Sequence, residues 1–233
     1  MQFDPPLVHG TLIKRYKRFL ADIQLSDGST VVAHCPNPGS MKTCAEPGWG
    51  ARISPATNPS RKLKWTLEVI DASGTQIMVN TARPNRIVKE AIERDQIAEL
   101  KGYQNIRTEV KYGENSRIDL LLENDESSSC FVEIKNVTML AEGRTAAFPD
   151  SVSKRAAKHM NELATMAQEG HRAVVFFLVS RTNVDQIRPA DEIDAAYGKA
   201  LRAAIDMGVE ALAYQLDFTR DAVTVGKRLP ILL

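Results

Sequence analysis

The stretch SRIDLLLENDESSSCFVEIKNV (116–137) decides the fold. It contains two runs rich in leucine, valine, isoleucine and phenylalanine, and the polar loop NDESSS between them predicts two strands joined as a hairpin. If Glu123 pairs near Ser129, antiparallel geometry makes the numbers of paired residues sum to about 252. This register places Asp119 on the first strand beside Glu133 on the second.

Lys135 joins this pair of carboxylates, because side chains two residues apart on a strand point to the same face. Two carboxylates that lie close together repel each other, and a hard divalent cation with oxygen ligands relieves the repulsion. Such a cation polarises a phosphate ester and lowers the pKa of a bound water, while an ammonium group offsets charge that develops on the phosphate. Asp119, Glu133 and Lys135 are therefore the candidate catalytic group. The expected cofactor is Mg²⁺ or Mn²⁺, and the carbonyl oxygen of Ile134 is a further candidate metal ligand.

An ordinary half-solvated sheet is the alternative interpretation of this pattern, since Glu, an apolar residue and Lys alternate on many exposed strands. The neighbours of both carboxylates are apolar, however. Unpaired charges in a mostly buried sheet are costly without a cation, so the pattern favours the metal site.

The elements around the hairpin follow the order α-β-β-β-α-β. The helix after the hairpin is expected to have Asp150 or Ser151 as its N-cap and to end at Gly170. The run RAVVFFLVS is nearly continuous in apolar residues, which is typical of a strand in the middle of a sheet. Helices are predicted over 86–100, 151–170 and 191–208, and strands over 105–112, 172–180, 210–216 and 222–226.

The first 84 residues predict a second unit, in which six short apolar runs are separated by turns. The turn sequences are Ser26-Asp27-Gly28, Pro36-Asn37-Pro38-Gly39 and Asp71-Ala72-Ser73-Gly74. Five or six short strands in about 80 residues are typical of a small closed barrel, with the oligonucleotide-binding (OB) type favoured and an SH3-like barrel as the alternative. Pro84 disfavours helix at the residue before it and marks the connection. We therefore predict an OB-like nucleic-acid-binding barrel over 1–84 and an α/β (α+β) domain over 85–233.

Length and composition limit the class of protein. The chain has 233 residues, of which 43% are apolar or aromatic, enough to form a core without disulfides. Its formal net charge of +1 divides into +4 for residues 1–84 and −3 for residues 85–233, a weak asymmetry that suits a phosphate-binding front. Three cysteines without CxxC spacing indicate reduced thiols. No signal peptide and no membrane-spanning run is evident, so we expect a cytoplasmic protein without a membrane partner.

Three cationic runs are candidate nucleic-acid contacts. Two lie in the barrel and mix cations with aromatic rings, as single-strand binders do when cations follow the backbone and rings stack on bases. The third lies on the helix after the hairpin, where residues four apart form one cationic face. The residues are Lys14, Arg15, Lys17, Arg18, Arg61, Lys62, Lys64, Trp65, Lys154, Arg155, Lys158 and His159. Solvated faces are the alternative for the cations and barrel core for Trp65, and His159 is also a candidate general acid.

These motifs together resemble two known groups of proteins. The Asp…Glu-x-Lys arrangement within this order of elements resembles the core of the PD-(D/E)xK nuclease superfamily. The whole chain is more similar to the sugar fermentation stimulation protein A family. The runs that carry this similarity are HCPNPGSM (34–41), RKLKWTLE (61–68), VNTARPN (79–85), SRIDLLL (116–122), FVEIKNVT (131–138) and FPDSVSKRAAKH (148–159).

The resemblance implies an N-terminal OB-like barrel followed by a PD-(D/E)xK nuclease-like mixed sheet flanked by helices. It also implies DNA binding and a role in sugar, notably maltose, metabolism. The superfamily's metal ligands fall on Asp119 and Glu133, its lysine falls on Lys135, and a catalytic glutamate from the first helix falls on Glu90. Ile118 stands where the superfamily has the proline of its half-motif.

Two functions follow as hypotheses. The first is a Mg²⁺- or Mn²⁺-dependent nuclease that acts on DNA, with RNA as the alternative substrate. The second is a non-catalytic DNA-binding regulator of sugar metabolism, in which the metal site is vestigial or structural. A small-molecule-binding protein has little support, because GxGxxG and Walker-type loops are missing. A homodimer is compatible with either hypothesis.

Overall fold

The chain folds as a barrel followed by a mixed sheet with helices on both faces. The computed structural model describes residues 1–113, 116–125 and 128–233. Residues 126 and 127 of the predicted hairpin loop therefore lie outside the described residues. The barrel strands are β1 (Val8–Tyr16), β2 (Leu20–Leu25), β3 (Thr30–His34), β4 (Gly50–Pro55), β5 (Trp65–Ala72) and β6 (Thr75–Met78). The strands that follow are β7 (Asn105–Tyr112), β8 (Ser116–Glu123), β9 (Cys130–Val137), β10 (Met139–Leu140), β11 (Thr145–Phe148), β12 (Arg172–Val179), β13 (Gln186–Pro189), β14 (Glu210–Phe218) and β15 (Val223–Arg228). The helices are α1 (Pro84–Glu93), α2 (Lys154–Gln168) and α3 (Asp191–Asp206).

The barrel closes through a parallel pairing of β3 with β5, at Ala33 and Trp65. The order of its sheet is β3-β2-β1-β4-β5-β6, so five strands form the closed barrel and β6 extends it from β5. The β2–β3 turn forms as predicted, because Asp27 Oδ1 accepts a hydrogen bond from the Ser29 amide at 2.9 Å and Gly28 adopts a φ of +83°, which glycine tolerates. The predicted OB-like barrel is confirmed.

The second sheet has the order β15-β14-β12-β9-β8-β7. The strands β7, β8 and β9 are antiparallel neighbours, and β9, β12 and β14 are parallel. The central strand β12 is buried along nearly its whole length, as its apolar run predicts. The expected mixed sheet flanked by helices is therefore present. A small sheet of β10, β11 and β13 was not predicted, because its strands are only two to four residues long.

The hairpin of β8 and β9 has the predicted register. Leu122 pairs with Cys130 and Leu120 pairs with Val132, so the numbers of each pair sum to 252. The described pairing ends at Leu120, and the two strands diverge at Asp119. This divergence opens a gap in the sheet at the position of the candidate site.

The start of helix α2 and both ends of helix α1 differ from the predictions. Helix α2 begins at Lys154, and Ser153, rather than Asp150 or Ser151, is its N-cap, with its side chain accepting a hydrogen bond from the Ala156 amide at 3.1 Å. The Asp150 carboxylate instead accepts from the Ser40 amide of the barrel at 3.0 Å.

Helix α1 begins at Pro84 and ends at Glu93, earlier than predicted at both ends. Proline is favoured at the first helical position, where its missing N–H group costs nothing. Asp95 then adopts a φ of +54°, which stops the helix, and a short 3₁₀ turn follows at Ala98–Leu100.

The hydrophobic core is continuous between the barrel and the second sheet. On one face of the sheet, α1 and the apolar side chains of β8, β9 and β12 pack together with Val69 and Met78 of the barrel. On the other face, α2 and α3 pack over Phe131, Val175 and Phe177. The three cysteines are buried free thiols, as predicted. Within the described ranges, no helix is long and apolar enough to span a membrane.

Candidate active site

The Asp119 carboxylate occupies the gap where β8 and β9 diverge. Its Oδ2 atom accepts a hydrogen bond from the Ile134 backbone amide at 2.7 Å, and its Oδ1 atom accepts from Asn85 Nδ2 at 2.8 Å. The Asp119 side chain thus accepts the hydrogen bond that the Ile134 amide would otherwise donate to a neighbouring strand. Burial, followed by the negative charge of Glu133, raises the pKa of Asp119 to about 6.

Glu133 and Lys135 lie on the same face of β9, as their spacing predicts, and both are buried. Lys135 Nζ is 2.7 Å from Glu133 Oε1, and His159 Nδ1 contacts the same oxygen. Burial raises the pKa of Glu133, but the His159 hydrogen bond and the Lys135 charge outweigh it and lower the pKa overall. The second oxygen, Oε2, is buried and has no hydrogen-bond partner.

The three predicted catalytic side chains surround one open pocket of about 300 Å³. Asp119, Glu133 and Lys135 line it together with Ile134 and Asn85. Among residues 1–113, 116–125 and 128–233, no three His, Cys, Asp or Glu side chains form a metal-binding group. The available donor set therefore consists of two carboxylates and backbone oxygen. Hard cations such as Mg²⁺ are held in this way, with one or two carboxylates and several waters.

The structure places Glu90 away from this pocket, which corrects its assignment as a catalytic residue. The Glu90 carboxylate pairs with the amino group of Met1 at 3.0 Å and with Arg86 Nε at 2.7 Å. Glu90 and Asn85 are five residues apart on α1, so they point in directions about 140° apart around the helix axis. Because Asn85 faces Asp119, Glu90 faces elsewhere. Asn85, which lies in the run VNTARPN, was not among the predicted site residues.

A cationic cleft of about 500 Å³ adjoins the pocket around Asp119 and Glu133. We call the latter the metal pocket, after the cation expected there. Lys154, Arg155 and Lys158 of α2, which are among the predicted nucleic-acid contacts, line it together with Glu109 of β7 and Arg117 of β8, which were not predicted. Arg155 and the buried His159 line both the cleft and the metal pocket. The two cavities are therefore neighbours that share these two side chains. Lys158 also lies 3.4 Å from Glu162 on the same helix.

The cations of the barrel are mostly engaged in contacts within the barrel. Arg15 donates hydrogen bonds to the carbonyl oxygens of Asn37 and Gly39, and Lys64 donates to the carbonyl of Pro59.

The other cations of the two barrel runs divide into engaged and solvent-facing residues. Arg61 donates to the Thr66 hydroxyl, and Lys14 lies 3.6 Å from Asp22. Lys17, Arg18 and Lys62 have exposed side chains, and so do Lys14 and Lys64 despite their contacts. Trp65 is half-buried and packs against the barrel core.

Comparison with known proteins identifies relatives over the whole length of the chain. The family model "Sugar fermentation stimulation protein RE domain" matches residues 82–222, and "SfsA N-terminal OB domain" matches residues 13–79. The sugar fermentation stimulation protein homolog of Pelobacter propionicus is 51% identical over 229 residues, covering 98% of this chain and 99% of that protein. The homolog of Geotalea uraniireducens is 52% identical over 231 residues, covering 99% of each.

A solved structure shows the same fold. It is SfsA of Pyrococcus furiosus, in complex with Ca²⁺, and it superimposes with a TM-score of 0.89 at 26% identity, covering 100% of this chain and 98% of that one. Both units and their order along the chain agree with the family models. The chain therefore belongs to the sugar fermentation stimulation protein family.

Proposed function

We propose that this protein is a divalent-cation-dependent nuclease that hydrolyses phosphodiester bonds at the pocket between Asp119 and Glu133. The observation that carries the proposal is the buried Oε2 atom of Glu133, which has no hydrogen-bond partner and lies beside a second carboxylate. Buried polar atoms nearly always have a partner, so an unpaired carboxylate oxygen requires an explanation such as a bound ion. The Pyrococcus furiosus relative is in complex with Ca²⁺, which supports divalent-cation binding by this protein.

The residues present fit Mg²⁺ or Mn²⁺. Asp119, Glu133 and the carbonyl of Ile134 would hold the ion, and Asn85 and the Ile134 amide already orient the Asp119 carboxylate. When bound, such a cation supplies Lewis acidity toward the phosphate and a water of lowered pKa. Lys135, held by Glu133, is placed to offset negative charge that develops on the phosphate.

His159 supports Glu133 rather than the substrate. Its Nδ1 atom contacts Glu133 Oε1 and lies 3.4 Å from Lys135 Nζ, and Arg155 Nε lies 3.3 Å from its Nε2 atom. Both ring nitrogens therefore face protein groups. This arrangement favours a role in orienting the carboxylate over the alternative role as a general acid.

The cationic cleft would hold the phosphates that flank the cleaved bond. Arg117, Lys154 and Arg155 line it, and Arg155 also lines the metal pocket. A polynucleotide backbone carries one negative charge per phosphate, and the cations that line the neighbouring cleft attract it. Arg117 is therefore a phosphate contact in addition to those predicted.

Incubation of the purified protein with end-labelled single- and double-stranded DNA and with RNA, in Mn²⁺ or Mg²⁺, tests the proposal. Wild type should cleave at least one substrate, and Glu133→Ala and Asp119→Asn should lower the rate by more than about 100-fold, because each removes a metal ligand. Glu142→Gln removes a carboxylate whose side chain is 78% exposed and should have no effect. If wild type cleaves no better than Glu133→Ala, hydrolysis is excluded.

One observation favours a second function, a DNA-binding regulator that does not cleave. Lys135 already pairs with Glu133, and His159 contacts the same carboxylate oxygen, so Glu133 has a cationic partner without a metal. DNA binding in the presence of a chelator tests this function. Under it, Glu133→Ala leaves the affinity unchanged or tighter, since a negative charge near phosphate is removed. A strict requirement of binding for Mn²⁺ would contradict it.

Several finer features stay predictions. These are the division of the chain at residues 84 and 85, DNA rather than RNA as the substrate, a role in sugar metabolism, a homodimer and a cytoplasmic location. The substrates of the cleavage assay compare DNA with RNA directly, and light scattering measures the oligomeric state.

A further inference from the structure

The linker, residues 80–85, contacts both the barrel and the candidate active site. It joins β6 to the first turn of α1. On the barrel side, the Thr81 hydroxyl donates a hydrogen bond to the Pro36 carbonyl at 2.6 Å, and Thr81 also lines the metal pocket. The linker therefore lies between the two units and is in contact with each.

The barrel holds the linker through a buried carboxylate. Glu68 of β5 is 0% exposed. It accepts hydrogen bonds from Ser54 Oγ at 2.7 Å, from Asn80 Nδ2 at 2.8 Å and from Arg83 Nε at 3.0 Å, and Arg83 Nη2 donates to its other oxygen. A buried charge is costly unless its hydrogen bonds are satisfied. Arg83 is therefore held at one position by its two-pronged contact with Glu68.

The same short segment holds the catalytic carboxylate. Asn85 is two residues after Arg83, and its Nδ2 atom donates to Asp119 Oδ1 at 2.8 Å. Pro84 lies between the two residues at the first helical position, and its ring restricts the backbone there. The position of Arg83 therefore determines where the Asn85 side chain can reach.

We infer that Asn85 is a positioning residue for the metal ligand Asp119, and that the Glu68–Arg83 ion pair of the barrel sets its position. This inference rests on the proposed metal centre. The barrel is then a structural part of the active site, in addition to any nucleic-acid contacts it makes. Partners that orient a metal-binding carboxylate commonly change metal affinity by about 10- to 100-fold when they are removed.

Mn²⁺ binding, measured directly by electron paramagnetic resonance on the full chain, tests the inference without relying on activity. Asn85→Ala should raise the Kd for Mn²⁺ by about 10- to 100-fold. Arg83→Lys keeps the charge but loses the two-pronged contact, and it should raise the Kd by less than Asn85→Ala. In the double variant, Arg83→Lys should add nothing to the effect of Asn85→Ala, because both act through one contact.

Arg86→Lys is the matched control, because it makes the same change three residues later on α1, where the side chain is 59% exposed and pairs with Glu90. It should leave the Kd unchanged. Circular dichroism and the unfolding temperature establish that each variant is folded. Should Arg83→Lys fail to fold, Ser54→Ala removes one donor to Glu68 and should raise the Kd in the same direction by a smaller factor.

The outcomes separate this inference from the proposed function. A wild type that binds no Mn²⁺ contradicts the metal centre itself. A wild type that binds Mn²⁺ while Arg83→Lys and Ser54→Ala bind it equally well overturns the inference and leaves the metal centre intact. Additive effects of Asn85→Ala and Arg83→Lys would also overturn it, since independent contacts add.

Discussion

The barrel and the cleft beside α2 each contain a group of cations, but the two groups have different surroundings. In the barrel, Arg15 and Lys64 donate to backbone carbonyls, so these side chains hold loops in place. In the cleft, Arg117 and Lys154 line an open cavity of about 500 Å³ that lies next to the metal pocket. In the sequence, both regions contain three or more lysines and arginines within five residues, as in 14–18 and 154–158.

This difference shows that the surroundings of a cationic side chain determine whether it is available to bind phosphate. A guanidinium group that already donates to buried or half-buried carbonyls must lose those bonds before it binds a phosphate, and leaving the carbonyls unpaired is costly. A cation that lines a solvent-filled cleft loses only water. We therefore expect the cleft, rather than engaged barrel cations such as Arg15, to be the main phosphate-binding surface. Four predictions test or refine this contrast, from the largest expected effect to the smallest.

Lys135→Met is expected to lower the rate of cleavage by about 100- to 1,000-fold, because the ammonium group that offsets charge on the phosphate is removed. Lys64→Met makes the same change in the barrel and should lower the rate far less. Single-turnover cleavage with excess enzyme measures both. Equal losses would show that the two regions do not differ in catalysis.

Acidification should weaken Mn²⁺ binding by about tenfold per pH unit below the pKa of Asp119, because the protonated carboxyl does not bind the ion. That pKa is raised to about 6, first by burial and then by Glu133.

Without metal, acidification should stabilise the fold instead of weakening an interaction. The folded state then binds more protons than the unfolded state between pH 6 and the ordinary Asp pKa, so the free energy of unfolding should rise as the pH falls. Titration of Mn²⁺ affinity and thermal unfolding between pH 5 and 7 measure the two trends.

Arg117→Gln with Lys154→Gln should weaken binding of a short oligothymidylate and reduce the slope of log affinity against log salt by about 1.4, that is, about 0.7 for each lost phosphate contact. Lys17→Gln with Arg18→Gln removes the same charge from the β1–β2 turn of the barrel, and its slope should change less. Fluorescence anisotropy at several salt concentrations gives both slopes. A larger change in the barrel variant would reverse the assignment of the phosphate-binding surface.

Arg15→Met should destabilise the fold by about 1 to 3 kcal/mol, because the carbonyls of Asn37 and Gly39 lose a charged donor. The salt slope of oligonucleotide binding should stay at the wild-type value. Urea unfolding and anisotropy measure the two quantities. A variant with full stability and a reduced slope would show that Arg15 binds phosphate.

The predictions from sequence succeeded where a local pattern determines the geometry. The register of β8 and β9 follows from a short polar loop between two apolar strands, and the shared face of Glu133 and Lys135 follows from the two-residue period of a strand. Predictions failed where a side chain had a choice of distant partners. Besides Arg86 on the same helix, Glu90 pairs with the N-terminal amino group, and no pattern within α1 predicts this distant contact.

The sequence by itself determined the two kinds of unit, their order, and the strand that carries Glu133 and Lys135, because alternation, helical spacing and turn residues act over a few neighbours. The tertiary structure decided which groups surround those residues. Asn85 contacts Asp119, which is 34 positions away in the sequence. Arg83 contacts the buried Glu68, which is 15 positions away. Such contacts exist only once the chain has folded, since packing brings distant donors and acceptors within hydrogen-bond distance.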